Sequence, residues 1–354
     1  METKAISREV VFARPREVEI RQTAVPDPGK GEVLVRTLYS GISHGTEMTW
    51  YRGTSPGGRK DVKKGLFVER DGRGSGYPCV QGYEEVCEVV ALGKGVVGLK
   101  VGDRVTCVCG HREYAVVNAD GPYIRLLPPE MDPIHGVFLA LGGVALDALL
   151  SAPLRLGESA VVFGQGVIGL LLVALCRRAG ADPVIAVDPL ETRRDMARTF
   201  GAHHALAPGP ELALTVRELC RGKGADVAFE VSGAYPALHE AFRVTANPYG
   251  TVVAGGFYQG EAKGLFLGEE FHHSSHGMGG ATRMVALHER IESPASAWGL
   301  RRVLETVWRL LVDGSLPVEK LVTHVYPASR AAEAFRLVDE HPEACLKVVL
   351  DMRA

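Results

Sequence analysis

The sequence predicts an α/β protein in which a β-rich domain accompanies a doubly wound parallel sheet. Residues 1 to about 125 form short β-type runs that Gly, Pro and Asp interrupt, whereas residues 142 to about 280 alternate β-type and helical runs. A turn with three glycines, Gly164-Gln165-Gly166-Val167-Ile168-Gly169, lies early in the alternating part. With 354 residues, of which 46% are hydrophobic, the chain is long enough for two domains.

Period-two and helical patterns place the individual elements. The N-terminal part is predicted to contain strands at 17–20, 32–38, 84–92, 102–108 and 114–117. The central part is predicted to contain strands at 160–163, 183–187, 225–231 and 250–254 and a helix at 167–178. The C-terminal part is predicted to contain helices at 301–313 and 328–339 and strands at 321–325 and 346–350.

Composition and charge limit the classes of partner. The net charge of −2 gives no reason to expect a nucleic acid or an anionic membrane. The N-terminus has no apolar signal region, and the most apolar predicted helix, 167–176, is too short to span a bilayer, so we expect a soluble cytoplasmic protein. The seven cysteines are scattered and odd in number, which predicts reduced thiols rather than a disulfide framework.

The glycine-rich turn predicts a bound dinucleotide. Gly164 suits a tight turn after a strand, Gly166 lets the backbone approach a pyrophosphate, and Gly169 lets the following helix lie close to the strand. The N-terminus of that helix directs N–H groups at phosphates. Asp188, at the end of the next predicted strand, can accept the hydroxyls of the adenosine ribose.

Asp188 favours NAD over NADP, because a 2′-phosphate would meet its negative charge. Arg193 and Arg194 keep NADP open, since either could reach a 2′-phosphate, although solvated arginines on a helix face are the more common case. Ser232 and Gly256 follow two later strands, at the edge where such sheets bind ligands. The predicted cofactor contacts are therefore Gly164, Gln165, Gly166, Val167, Ile168, Gly169, Asp188, Arg193, Ser232 and Gly256.

Three further motifs carry a family resemblance: Gly41-Ile42-Ser43-His44-Gly45-Thr46-Glu47, Gly82-Tyr83-Glu84 and Gly102-Asp103-Arg104-Val105. With the central nucleotide fold they resemble the medium-chain dehydrogenase/reductase superfamily, of the zinc alcohol and polyol dehydrogenase type. The resemblance implies a GroES-like catalytic domain at 1–143 and 283–354, interrupted by a Rossmann domain at 144–282. It also implies a cleft between the domains and assembly into homodimers or homotetramers.

The chain departs from this family at the zinc ligands. Where zinc-containing members have Cys, His and a third Cys or Glu, this sequence has Ser43, Tyr83 and Gly142 or Gly143. A hydroxyl, a phenol and a glycine cannot form a tight tetrahedral site with nitrogen and sulfur ligands, and the four-cysteine structural lobe is missing too, so we predict no zinc.

Two alternatives keep a metal site open. His44 could rebuild a site with Glu84 and Cys79. Cys107, Cys109 and His111 would share one face of a strand, but buried cysteines that act as small hydrophobic residues are the more common case.

Without zinc, another group must stabilise the substrate oxygen during hydride transfer. The resemblance places Ser43, His44, Thr46, Tyr83 and Glu84 around the nicotinamide end. Thr46 resembles the proton-relay hydroxyl of the family, and Glu84 resembles an acid behind the metal. Tyr83 either donates to the substrate oxygen or fills the volume that the metal leaves.

Two segments carry weaker signals. His272, His273 and His276 lie in one short loop or strand, where a polar pocket is more plausible than a metal, because adjacent residues on a strand face opposite sides. The long glycine-rich, charged run from 50 to 78 exceeds ordinary loop lengths and is interpreted as a lid over a polar substrate or a solvated loop.

Three functions remain. The first is an NAD(H)-dependent oxidoreductase that interconverts a secondary alcohol and a ketone on a polyol, sugar or cyclitol without catalytic zinc. The second is a zinc-free NAD(P)H-dependent reductase of quinones or enones, and the third is a non-catalytic nucleotide-binding redox sensor.

Overall fold

The computed structural model describes residues 6–61, 63–67, 76–152, 154–246, 250–273, 282–287 and 298–354. These residues form two compact units, one of Met1–Ala140 with Leu310–Ala354 and one of Leu141–Arg309. Each unit has its own sheets and its own buried core.

Antiparallel strands dominate the first unit. β2, β1 and β6 form one sheet, while β10, β8, β7 and β3 are neighbours in a second, to which β9 is added by pairing with β3. Its described N-terminal elements are β1 (Ile6–Arg14), β2 (Glu17–Ala24), β3 (Glu32–Ile42), α1 (Thr46–Arg52), β4 (Lys60–Asp61), β5 (Leu66–Phe67), β6 (Cys79–Val80), β7 (Glu85–Leu92), β8 (Arg104–Cys107), β9 (Tyr114–Asn118) and β10 (Arg125–Leu126).

A helical segment follows that the sequence analysis does not predict. Pro133–Phe138 forms a 3₁₀ helix that leads into α2, Leu139–Ser151. By length and composition, Pro133–Ser151 could cross a membrane, but 72% of its most apolar stretch is buried inside the protein. Such burial is what the core helix of a globular protein shows, and this segment, not 167–176, is the longest apolar helix among the described residues.

The second unit is a doubly wound parallel sheet, which confirms the predicted fold class. The strand order is β13-β12-β11-β14-β15-β16, and every neighbouring pair is parallel. Its described elements are β11 (Ala160–Phe163), α3 (Val167–Arg178), β12 (Val184–Val187), α4 (Glu191–Thr199), β13 (His204–Leu206), α5 (Leu212–Leu219), β14 (Val227–Glu230), α6 (Tyr235–Val244), β15 (Thr251–Ala254), β16 (Arg283–Ala286) and α7 (Leu300–Val312). The strand order reverses between β11 and β14, which is where sheets of this type bind ligands.

The C-terminal segment returns to the first unit as β17 (Val322–Pro327), α8 (Ala331–Glu340) and β18 (Lys347–Asp351). β18 pairs antiparallel with β3, with Val348 opposite Ile42, and parallel with β17. The second sheet therefore runs β10-β8-β7-β3-β18-β17. This pairing brings Lys347 next to the start of the Ser43 loop although about 300 residues separate them in sequence.

The limits of the units differ from the predicted domain limits at 143 and 282. The second unit continues to Arg309 and includes β16, which pairs with β15 at the edge of the parallel sheet. Of the run at 283–309, which the sequence assigns to the β-rich domain, β16 thus belongs to the parallel sheet, and most of α7 falls in the second unit.

Candidate active site

In the second unit, the turn from β11 to α3 has the geometry that a dinucleotide requires. Gly164 has φ of 88°, a conformation that favours glycine. A Cβ at Gly169 would lie 1.8 Å from the carbonyl oxygen of Gly164, so the helix can approach the strand this closely only without a side chain. A Cβ at Gly166 would meet nothing within 4 Å, so the space beside its backbone is open to a ligand.

Asp188 holds this turn to the end of β12. Its carboxylate oxygens accept hydrogen bonds from the N–H of Gln165 at 2.7 Å and of Leu190 at 2.9 Å. The residue is only 3% exposed. Because a carboxylate has about four acceptor positions, Asp188 keeps capacity for ribose hydroxyls beyond these two bonds.

Gln165, a predicted cofactor contact, is buried inside the turn. Its amide Nε2 donates to the carbonyl oxygen of Val162 at 2.7 Å, and the side chain is fully buried. Val167 and Ile168 begin α3, whose N-cap, Gly166, provides no side-chain cap. The N–H groups of the first helical turn therefore lack a side-chain acceptor, as phosphate-binding helices require.

Arg193 and Arg194 both lie in the first half of α4. The guanidinium of Arg194 donates to the carbonyl oxygens of Asp188 at 2.9 Å and Pro189 at 2.7 Å, so it holds the backbone after β12. Arg193 lies one residue earlier in the same helix. That Arg193 contacts the cofactor stays a prediction.

Glu230, at the carboxyl end of β14, organises the other side of the turn. It accepts hydrogen bonds from the side chain and backbone of Ser232 and from the hydroxyl of Tyr258, and its backbone oxygen accepts the N–H of Gly256 at 2.9 Å. Burial raises the pKa of Glu230, and its hydrogen bonds with Ser232 and Tyr258 limit the rise. Ser232 touches the glycine turn, since a Cβ at Gly164 would lie 2.8 Å from the Cβ of Ser232.

Sequence reasoning did not single out Glu230 or Tyr258. An acid at the last position of a buried parallel strand was the available signal for Glu230. Nothing local indicates Tyr258, which reaches Glu230 from beyond the end of β15.

In the first unit, Ser43 and Tyr83 form a hydroxyl pair. The phenol of Tyr83 donates to Oγ of Ser43 at 2.6 Å, and it also interacts with the side chain of Thr46. Ser43 is 4% exposed, while Thr46 is exposed. Burial and then the negative charges of Glu84 and Glu47 raise the pKa of Tyr83 far above its usual value, so the phenol stays protonated.

Glu84 is buried behind this pair and is joined to Lys347. The ammonium of Lys347 donates to Oε2 of Glu84 and, at 2.8 Å, to the carbonyl oxygen of Ile42. Burial raises the pKa of Glu84 to about 7, and the charge of Lys347 limits the rise. Oε1 of Glu84 has no hydrogen-bond partner among the described residues.

A second buried chain of hydrogen bonds supports the loop that carries Ser43. Glu47 accepts the N–H of Ser43 at 3.0 Å, and its other oxygen lies 2.5 Å from Nε2 of His111. Nδ1 of His111 lies 2.6 Å from Oγ of Ser40, which donates to Glu85 at 3.0 Å. The sequence analysis named none of these acids as site residues.

The protonation of this chain follows from its burial. Burial would lower the pKa of His111, but the adjacent Glu47 carboxylate outweighs it and the pKa is raised. Burial raises the pKa of Glu85 to about 8. His111 faces this chain and not the neighbouring thiols, contrary to the predicted shared face for Cys107, Cys109 and His111.

The resemblance places Ser43 and Tyr83 where zinc-containing members have metal ligands, and these hydroxyls are not the nitrogen and sulfur ligands that a catalytic zinc ion favours. Among the residues that the structure describes, ligand atoms from three or more His, Cys, Asp or Glu side chains converge at two places, Cys87 with Cys107 and Cys109, and His239 with Glu269 and Glu270. Neither place includes Ser43, Tyr83 or Glu84, nor His44 and Cys79 of the alternative site. The hydroxyl of Tyr83 donates to that of Ser43 instead.

Two weaker signals are only partly within the described residues. His272 ends a short helical turn, Gly268–His272, and His273 follows it, so these residues do not form the strand considered from the sequence. His276 lies outside the described residues, as do residues 62 and 68–75 of the charged run. That run begins with α1, whose Arg52 pairs with Asp339 at 2.6 Å.

Comparison with known proteins agrees with this architecture. Residues 29–145 match the alcohol dehydrogenase GroES-like domain, and residues 167–289 match the zinc-binding dehydrogenase domain. A D-guloside 3-dehydrogenase of Escherichia coli (strain K12) is 31% identical over 332 residues, which covers 90% of this chain and 92% of that protein.

Solved structures show the same fold. A 2R,3R-butanediol dehydrogenase from Bacillus subtilis superposes with a TM-score of 0.78 at 22% identity and covers 98% of this chain and 99% of its own. An Escherichia coli CFT073 structure described as a short chain alcohol dehydrogenase with NADH gives 0.77 at 21% identity, with 98% and 99% covered. This chain belongs to the zinc-type medium-chain dehydrogenase/reductase superfamily, a superfamily of oxidoreductases.

Proposed function

We propose that this protein is an NAD(H)-dependent dehydrogenase that interconverts a secondary alcohol and a ketone on a polyol, sugar or cyclitol. In this proposal the hydroxyl pair of Tyr83 and Ser43 takes the place of a catalytic zinc ion at the substrate oxygen. The observation that carries it is the 2.6 Å hydrogen bond between these two side chains where zinc-containing members have metal ligands.

Three features of the glycine turn support a nicotinamide dinucleotide. The backbone at Gly166 is open, Gly169 permits the close start of α3, and Asp188 stands at the end of β12 with acceptor capacity left. When bound, the nicotinamide accepts or donates the hydride. The buried acid Asp188 favours NAD, because a 2′-phosphate beside it would meet a like charge.

Tyr83 would contact the substrate oxygen as a hydrogen-bond donor. Its raised pKa keeps the proton on the phenol, so Tyr83 can donate to a ketone oxygen and neutralise the alkoxide that develops on it. Ser43 orients the phenol by accepting its hydrogen bond in the free enzyme. Thr46 is exposed and its hydroxyl also interacts with the phenol, so it would return a proton from solvent to Tyr83 after ketone reduction and carry one to solvent after alcohol oxidation.

Glu84 and Glu47 would act indirectly. Glu84 raises the pKa of Tyr83 through its charge, and Glu47 fixes the backbone of Ser43. They are therefore positioning residues rather than catalytic ones. His44 remains a candidate for the substrate wall because it lies next to Ser43 and is partly exposed.

Known proteins of similar sequence or fold support the substrate class. The relative from Escherichia coli K12 is named for a guloside, and the structural neighbour from Bacillus subtilis for butanediol. The neighbour from Escherichia coli CFT073 was solved with NADH. We therefore propose that this protein also acts on an alcohol with neighbouring hydroxyl groups and uses NAD.

The experiment is a screen of polyols, glycosides and cyclitols with NAD and NADP, followed through the absorbance of reduced nicotinamide. Tyr83→Phe should lower kcat/KM by roughly 10²- to 10⁴-fold, the range of a lost general acid, while the affinity for NADH changes little. Ser43→Ala should have a smaller effect on kcat/KM. Tyr326→Phe removes the same hydroxyl from β17, outside the network, and should leave kcat/KM unchanged.

Other outcomes would contradict the proposal. Turnover of enones or quinones without any turnover of alcohols would favour the zinc-free reductase. Cofactor binding without turnover on either panel would favour a redox sensor. Full activity of Tyr83→Phe would show that the phenol of Tyr83 is not the hydrogen-bond donor to the substrate oxygen.

A further inference from the structure

A cluster of three cysteine thiols lies in the first unit, outside the proposed substrate site. Cys87 is in β7, Cys107 ends β8, and Cys109 follows two residues later. The strand register places Val105 opposite Cys87 and Cys107 opposite Glu85, so Cys87 and Cys107 are diagonal neighbours on the sheet. We propose that Cys87, Cys107 and Cys109 bind one structural Zn²⁺ ion.

The distances among the donor atoms are those of a compact metal site. The sulfur atoms of Cys87 and Cys107 are 3.2 Å apart, those of Cys107 and Cys109 are 3.7 Å apart, and all three lie within 4.8 Å of one another. In a tetrahedral site with Zn–S bonds of about 2.3 Å, sulfur atoms are roughly 3.8 Å apart. Shifts of about half an ångström in side-chain position, within a rotamer well, would bring the first pair to that separation.

The hydroxyl of Thr37 lies beside two of the three thiols. Its Oγ1 lies 3.5 Å from the sulfur of Cys87 and 3.8 Å from that of Cys109. A tetrahedral ion with bonds of about 2.3 Å to sulfur and 2.1 Å to oxygen would place the two atom types roughly 3.6 Å apart. Thr37 is fully buried, so no bulk water competes for its hydroxyl. This hydroxyl can serve either as a neutral fourth ligand or as a hydrogen-bond donor to a thiolate.

The surroundings favour zinc over other cations. Thiolates are soft ligands that select zinc or copper(I) over magnesium or calcium. The cluster packs among buried valines of the first unit, Val33, Val35, Val89 and Val105. In such an apolar core, three thiolates with Zn²⁺ leave one net negative charge, whereas with Cu⁺ they leave two, which burial penalises more.

A disulfide is the competing state of these thiols. It would join only two of the three sulfur atoms and require the 3.2 Å pair to close to about 2.05 Å. A metal ion uses all three thiols and closes a site that β7, β8 and the following turn already present. The assignment also departs from the interpretation of these cysteines as small hydrophobic residues, and it limits the zinc-free prediction to the position of Ser43 and Tyr83.

The first test is the metal content of the full-length protein, expressed with added zinc and treated with a chelator under native conditions. We expect close to one zinc ion per chain, and zinc X-ray absorption should give about three sulfur neighbours at about 2.3 Å. After replacement by Co²⁺, a thiolate-to-cobalt charge-transfer band should appear. These readouts use the wild-type protein and do not depend on activity.

Variants then locate the ion. Cys107→Ser should lose the chelator-resistant zinc roughly tenfold or more, because a three-thiolate site cannot keep its affinity with two thiolates. Cys220→Ser, which removes a buried thiol in the second unit, should retain it. Tyr83→Phe should also retain the zinc ion. Loss of zinc in Tyr83→Phe would instead place the ion at Tyr83, which would contradict the zinc-free proposed function and would not support the three-cysteine site.

Three results would overturn the proposal. They are wild-type protein without chelator-resistant zinc, zinc retained in folded Cys107→Ser, and a Cys87–Cys107 disulfide in peptides mapped without reduction. If Cys107→Ser fails to fold, the sulfur count from X-ray absorption of the wild-type protein still decides between three thiolates and none.

Discussion

The glycine turn of the second unit and the polar cluster of the first differ in how sequence encodes them. The turn from Gly164 to Gly169 works through its backbone, and its parts are adjacent in the chain. The cluster around Tyr83 works through side chains that β3, β7 and β18 bring together, including Lys347. A local turn that acts through its backbone can be recognised as a sequence pattern, whereas a buried side-chain network depends on long-range strand pairing.

The largest expected effect comes from breaking the buried ion pair of the cluster. Lys347→Met would leave Glu84 buried without its cation and should lower the free energy of unfolding by about 3–5 kcal/mol. The midpoint of urea denaturation measures this. Lys320→Met, an exposed lysine of the same C-terminal segment, should leave the midpoint unchanged.

The double variant Glu84→Gln/Lys347→Met separates charge from packing. If the loss arises from the uncompensated carboxylate, removing both charges should recover much of the stability. No recovery would mean that the lysine stabilises the sheet mainly by filling space or by its bond to the Ile42 carbonyl.

The glycine turn offers a matched pair of substitutions. Gly166→Ala adds a methyl group to open space, so the free protein should keep its stability while NADH affinity falls roughly 100-fold, about 2.7 kcal/mol. Gly169→Ala places its Cβ against a backbone oxygen and should lower both stability and affinity. Thermal unfolding and NADH fluorescence titration measure the two quantities, and equal stability losses in the two variants would contradict the assigned roles.

The sequence predictions are also more accurate for local elements than for features that depend on long-range contacts. The helix at 167–178 and the strand at 184–187 lie where the hydrophobic pattern and the flanking glycines predict them. Both are buried elements whose ends are marked by residues nearby in sequence. The helical segment 133–151 was missed, since its apolar run has no polar face to reveal its period.

Site residues show the limit more clearly. Ser43 and Tyr83 were selected through the motif resemblance, and the structure brings them within hydrogen-bond distance. Lys347 and Glu230 were not selected, and His111 was considered only as a metal ligand beside Cys107 and Cys109. A polar residue near the end of a strand looks the same in sequence whether it faces solvent or a buried partner. The pairing of β18 with β3 decides the partners of Lys347, and the segments that follow β14 and β15 decide those of Glu230.

The most gradual expected effect is a pH dependence to which buried groups of the polar cluster contribute. The folded state raises the pKa of Glu85 from 4.5 to about 8 and also raises that of His111 above 6.5. Both groups bind protons more tightly when folded, so their stabilisation is present at low pH and is lost as the pH rises through their folded pKa values. The free energy of unfolding should therefore fall between about pH 5 and pH 8.

Glu85→Gln keeps an oxygen acceptor for Ser40 or the Cys109 N–H but no longer titrates. Its unfolding free energy should vary less steeply with pH, by up to about 1.4 kcal/mol per pH unit, the slope of one extra bound proton. Urea denaturation at half-unit pH steps measures this slope, with Glu88→Gln, a partly exposed carboxylate of β7, as the control. If the unfolding free energy of Glu85→Gln varied with pH as steeply as that of the wild type, Glu85 would not be buried in solution. The hydrogen-bond chain through His111 would then not support the Ser43 loop.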